Sequence, residues 1–207
     1  MRTVLALLGC AGRVEVALAS RNLAAPSLVA LASPEPRANL LLKAVHGVLQ
    51  AADLSPRELD LIVAATGPGS FTGIRNTLAC AWGLSQAHGV PVCGFSSLLV
   101  QAARALERQV LAVQPARRSL AYAQAFRRGR TWEPAGPVDV VPLDDVARQS
   151  LPVAAPPGLA LPPGTPVATL VTAPAEALLA LGLAVEEPDP ESLTPQYLEP
   201  FPATEVR

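Results

Sequence analysis

Apolar runs of five or six residues alternate along the first half of the chain with polar and turn-forming stretches. Residues 3–8 and 14–19 are two such runs, separated by Gly9-Cys10-Ala11-Gly12, a composition suited to a hairpin turn. Residues 28–32 predict a third strand. Residues 38–52 carry apolar groups at helical spacing. Residues 61–66 read as a short buried strand, and 75–88 as a second helix stopped by Gly89 and Pro91. A strand at 91–95 and a serine-capped helix at 97–108 follow. Three strands and then helix, strand, helix, strand predict a mixed sheet with helices on its faces, an α/β fold.

The second half is less regular. Residues 110–113, 121–127 and 167–171 read as strands, and 143–149 and 174–181 as short helices. Proline is dense over 152–166 and 188–202, where extended loops are expected, because proline donates no ladder hydrogen bond. The division expected is a first lobe over 1–100 and a smaller, proline-rich second lobe over 101–207.

One segment carries candidate chemistry. Gly67-Pro68-Gly69-Ser70-Phe71-Thr72-Gly73-Ile74-Arg75 follows the strand at 61–66 and opens a helix. A strand, glycine-rich turn and helix in succession aim backbone N–H groups at one point, where an anion can sit. No lysine follows the last glycine, so the loop is not a P-loop, and its glycines are not spaced as in a dinucleotide fingerprint. Pro68-Gly69 is a turn dipeptide, and Ser70 and Thr72 are candidate N-caps. Phe71 either staples the helix start to the core or reaches a partner. Arg75 stands in the first helical turn, where the dipole disfavours a cation, so it is expected to pair with a carboxylate or an anion.

These nine residues resemble the signature of the TsaB (YeaZ) family, bacterial accessory proteins of the threonylcarbamoyl modification of tRNA adenosine. The family's run reads GPGSFTG, an aliphatic residue and arginine, and this chain matches it throughout. Weaker similarity covers residues 53–62 and 91–98, Ala116-Arg117 with Tyr122, and Gln196-Tyr197-Leu198. The resemblance implies the actin-like ATPase (ribonuclease H-like) fold, with two lobes of which the second is reduced.

Composition narrows the class. The chain has 207 residues, half of them apolar, and a net charge of −1. That near-neutral balance gives no electrostatic footprint for independent RNA binding. Cys10, Cys80 and Cys93 are odd in number, lack metal-ligand spacing and read as buried reduced thiols. No signal-peptide layout and no apolar run of about 20 residues is present, which points to a cytoplasmic protein with no membrane span.

The first two helices bear more apolar residues than one buried stripe requires. Leu40, Leu41, Leu42, Val45, Val48 and Leu49 lie on the first, and Leu78, Ala79, Ala81, Trp82 and Leu84 on the second. Surplus apolar surface predicts an interface. The resemblance implies pairing through these helices with a TsaD-like catalytic subunit or with a second copy of the chain, Leu40, Leu41, Val45, Val48, Leu78 and Trp82 being the expected contacts.

Departures from the family pattern bear on chemistry. An Asp-Thr-Ser run is usual after the first strand in the family, and here the aligned residues are Leu8-Gly9-Cys10. A carboxylate that a magnesium–nucleotide complex would need is replaced by leucine. The two metal-binding histidines of the catalytic relatives reduce to His46, and His88 suits a helix C-terminus without further function. The family's Asp-Ala-Arg reads Pro115-Ala116-Arg117 after Gln114, so a second carboxylate is absent. Asp144-Asp145 and Glu186-Glu187 read as capping and solvated charges, and no serine sits in a nucleophile elbow.

The expectation is therefore a non-catalytic subunit without cofactor or metal that activates a TsaD-like enzyme. A TsaE-like ATPase would join the assembly, and tRNA would be met only through it. The alternative is a nucleotide-binding enzyme, ATPase or kinase-like, using the 67–75 loop. A peptidase acting alone is a third reading, without catalytic groups to support it.

Overall fold

The computed structural model describes residues 2–9, 13–32 and 37–198, with the backbone alone for Arg37 and Ala38. The first sheet has the order β3-β2-β1-β4-β5, built from β1 (Val4–Leu8), β2 (Val14–Ala19), β3 (Ser27–Leu31), β4 (Leu61–Ala65) and β5 (Val92–Phe95). β1 pairs antiparallel with β2 and parallel with β4, and β5 extends the sheet parallel to β4. Every residue of β1, β2 and β4 is buried, as expected of strands covered on both faces. Helices α1 (Arg37–Ala51) and α2 (Phe71–His88) pack on this sheet and on each other.

The second sheet has the order β10-β6-β7-β8, with β9 also paired to β7. Its strands are β6 (Gln109–Pro115), β7 (Leu120–Arg128), β8 (Trp132–Pro134), β9 (Asp139–Pro142) and β10 (Val153–Ala154). Helix α3 (Ser97–Ala103) packs against β6 and also against α4 (Pro174–Leu183), which lies on β1, β2 and β4. The two helices thereby join the sheets.

Helix α4 starts where its residues compel it to. Pro174 occupies the first turn, and the Glu176 carboxylate accepts from Ala173 N at 2.7 Å. Glu15, buried on β2, accepts from Ala175 N at 3.0 Å and from Arg13 Nε at 2.6 Å. Near the helix end, a Cβ on Gly182 would fall 2.8 Å from Val63 Cγ1, so glycine is what lets α4 approach the sheet.

Several expectations change. Helix α2 begins at Phe71 instead of residue 75, because Ser70 caps it: Ser70 Oγ accepts from Gly73 N at 3.3 Å, and Ser70 O from Ile74 N at 2.8 Å. Helix α3 stops at Ala103, where Arg104 N and Ala105 N turn to three-residue hydrogen bonds and Leu106 N pairs with Thr169 O. The helix expected at 143–149 is a 3₁₀ segment, Leu143–Arg148. Residues 167–171 form only single bridges, Val167 with Val153 and Leu170 with Ala105. Ala175, Ala177, Leu178, Leu179 and Leu193 belong to the core of the first sheet, on which α4 packs. Among the described residues no helix is long and apolar enough to cross a membrane.

Candidate functional site

The 67–75 loop lies where four segments converge. Thr66, just past β4, donates from N and from Oγ1 to Phe95 O at 2.9 and 3.2 Å. The Gly67–Pro68 peptide is cis, and Gly67 O accepts from Ser97 N at 2.6 Å, which ties the loop to the start of α3. Gln196 N donates to Thr66 O at 2.8 Å, bringing in the C-terminal tail.

Two glycines of the signature answer to this crowding. Gly67 has φ +102°, and a Cβ there would lie 2.6 Å from Ile74 Cδ1 and 2.9 Å from Gln196 O. A Cβ on Gly73 would lie 2.0 Å from Gly9 O, since the first turn of α2 rests on the backbone after β1. The aligned position that could have held a carboxylate is Leu8, fully buried.

Aromatic stacking completes the closure. Arg75 Cζ lies 4.1 Å from the centroid of the Phe71 ring, and that ring lies 5.0 Å from Tyr197. In place of the carboxylate or anion expected for Arg75, the structure sets it over the π face of Phe71, and Phe71 meets the tail of its own chain. Pro68 is buried, Gly69 (φ +153°) half-buried, and Thr72, exposed within α2, is not the cap. Two of the N–H groups expected to face an anion, those of Gly73 and Ile74, are bonded to Ser70.

A buried polar cluster adjoins the loop between the sheets. Gln114 Nε2 donates to Ser97 O at 3.4 Å, while Ser97 Oγ, Gln101 Nε2 and Gln114 Oε1 have no hydrogen-bond partner among the described residues. Arg104 donates to Gln101 Oε1, Thr172 O and Ala155 O, and burial pushes its pKa down. Burial raises the Cys80 thiol to about 11; Cys93 is buried, and Cys10 lies outside the described residues. Among the described residues no three His, Cys, Asp or Glu side chains converge as metal ligands. Asp145 pairs with Arg148 at 2.8 Å, and Glu186 and Glu187 are exposed.

The expected partner contacts divide sharply. Leu40, Leu41, Val45, Val48 and Leu78 are buried in the chain's own core, because α1 and α2 use them against the sheet and each other. Leu42 (57% exposed) and Trp82 (39%) are the large apolar side chains that these helices leave at the surface. A groove of about 430 Å³ is lined by Leu42, Val45, His46, Leu49, Leu54 and Pro56. Burial therefore shifts the candidate surface onto Leu42, Trp82 and this groove. The apolar count along a helix did not separate sheet-facing from free positions, and the tail's return to the loop had only Gln196-Tyr197-Leu198 as its signal.

A family model described as "TsaD: tRNA N6-adenosine threonylcarbamoyltransferase" matches residues 34–161. A Bacillus subtilis protein named tRNA threonylcarbamoyladenosine biosynthesis protein TsaB is 34% identical over 88 residues, 42% of this chain and 38% of that one. The chain's match thus spans well under half of that relative's length. The solved structure of YeaZ from Pseudomonas aeruginosa has a TM-score of 0.77 at 28% identity, over 96% of this chain and 100% of that one. A second structure, of an uncharacterized protein with similarity to peptidase YeaZ from P. aeruginosa, has a TM-score of 0.76 at 26% identity over the same shares.

Proposed function

This chain belongs to the TsaB (YeaZ) family and carries a TsaD-type domain, and from that premise we propose that it is an accessory subunit of tRNA threonylcarbamoylation. Its fold is the actin-like, ribonuclease H-like one. In the proposed role the chain performs no chemistry. It pairs through α1 and α2 with a TsaD-like catalytic subunit and stabilises the conformation in which that enzyme transfers threonylcarbamoyl to adenosine. A TsaE-like ATPase joins the assembly, tRNA is met through the complex, and the setting is the cytoplasm. In the absence of TsaD the same surface would pair two copies of the chain.

The observation that carries the reading is the closure of the signature loop. Tyr197 stacks on Phe71, Gln196 hydrogen-bonds to Thr66, and Gly73 sits against Gly9. In place of an open phosphate cradle, the loop joins β4, α2, α3 and the tail. That arrangement supports a scaffold over the nucleotide-binding alternative, as does a leucine where magnesium would need a carboxylate.

The test is assembly. Leu42→Glu and Trp82→Glu are expected to leave the far-ultraviolet spectrum and melting temperature of the chain nearly unchanged and to lower its affinity for a TsaD-like partner at least tenfold by calorimetry. Wild-type affinity in both variants would remove α1 and α2 from the interface. Titration with magnesium–ATP separates the alternative, which requires micromolar binding with turnover.

A further inference from the structure

Seven arginines and two glutamates fall between residues 104 and 134, a local net charge of +5 in a chain whose total is −1. Four of these arginines, Arg108, Arg127, Arg128 and Arg130, meet at one end of the β6–β7–β8 ladder. Strand pairing brings them together: Arg127 stands across from Gln109, Arg128 across from Trp132, and Arg128 N donates to Arg108 O at 2.7 Å. All four are exposed. Arg128 is held in place, with its guanidinium carbon 5.4 Å from the Trp132 centroid and Nη2 donating to Leu106 O at 2.8 Å.

Two neighbouring carboxylates, Glu107 and Glu133, offset only part of the positive charge of these four arginines. Glu107 accepts from Thr169 N at 2.9 Å, and that bond lowers its pKa. Glu133 stands opposite Arg127 on β8, yet Arg108, Arg127 and Arg130 form no ion pair among the described residues. Like charges at this density repel and oppose the compact state unless an external anion answers them. Guanidinium groups match phosphate with paired hydrogen bonds, and the Trp132 ring, packed on the second-sheet core, holds one of them, Arg128, at the surface.

We propose that the β6–β8 end of the second lobe is a contact surface for the phosphate backbone of RNA, and that the RNA is the tRNA held by the assembly. The identity of that RNA rests on the function proposed above. The surface lies on a different sheet from the one covered by α1 and α2, so the two surfaces can be disabled separately.

The experiment uses the full chain carrying both Arg127→Glu and Arg130→Glu. Its complex with the TsaD-like subunit is titrated into fluorescent tRNA at about 50 and about 200 mM salt, salts between which phosphate contacts lose most of their strength. Assembly and thermal melting are expected to match wild type. The tRNA affinity is expected to fall at least about tenfold at the lower salt, and the salt dependence to flatten by about two phosphate contacts. Arg57→Glu, on the first lobe, is the control and should change neither. Unchanged tRNA affinity in an assembled double variant would overturn the proposal. So would wild-type binding to phosphatidylserine vesicles, lost in the double variant, with tRNA affinity unaffected. Failure of the wild-type chain to join the TsaD-like subunit would instead count against the accessory role. The same titration of the free chain at low salt then decides the patch: loss of binding in the variant supports it, and equal binding overturns it.

Discussion

At the scale of single residues, what distinguishes one glycine from another is what a methyl group would meet. On α2, Gly73 has Gly9 O at 2.0 Å from its ideal Cβ, whereas Gly83 has nothing within 4 Å. Gly73→Ala must push apart two backbones, and is expected to destabilise the fold by about 3 kcal/mol, the upper part of the usual overpacking range. Gly83→Ala should stabilise it by about 0.5–1 kcal/mol, because an exposed helix interior favours alanine. Urea denaturation of both variants checks the pair, and similar midpoints would show that α2 does not rest on the Gly9 backbone. Cys80 provides a chemical test. Its thiol is raised to about 11, so it stays protonated at pH 8 while an unfolded thiol near 8.5 is partly ionised. Iodoacetamide at pH 8 should therefore label Cys80 more than about tenfold more slowly in the native chain than in urea, read by peptide mass spectrometry. By linkage, that raised pKa contributes stability fully present below about pH 8.5 and lost as pH rises through 11.

At the scale of elements, the tail and the first two helices carry separable roles. The tail clasps the signature loop through Tyr197 and Phe71. Tyr197→Ala should cost about 1–2 kcal/mol, the aromatic pair plus part of its buried area, and should leave the secondary structure intact. A thermal melt checks it, and an unchanged midpoint would mean that the tail adds nothing to the loop's stability. On α1, a charge at Leu41 should unfold the chain, whereas a charge at Leu42 should leave it folded and unpaired, since only Leu42 projects from the core. Apolar runs and the period-3.6 pattern made most of the first lobe legible, because β1 and β4 are continuous apolar runs, β2 is broken by Glu15 alone, and α2 ends at a glycine. The second lobe was less legible. β8, β9 and β10 are two to four residues long, too short for a period to register. The apolar run at 167–171 meets its neighbours only at single bridges.

At the scale of the whole molecule, α4 and the tail return from the second sheet to the first, and one chain closes on itself around the signature loop. The loop was legible as a motif, but its closure was not, because Tyr197 lies more than a hundred residues from Phe71. Local charge was equally hidden. A net charge of −1 conceals the arginine-rich ladder end, since an average over the chain carries no position. The accessory role proposed for the assembled molecule is tested most directly by reconstitution. Threonylcarbamoylation of tRNA is measured with TsaD- and TsaE-like proteins and an enzyme that supplies the activated threonylcarbamoyl group, with and without this chain. The account predicts modification that requires the chain and is lost with Leu42→Glu or Trp82→Glu. Equal modification in its absence, with no stable complex with the TsaD-like subunit, would contradict it.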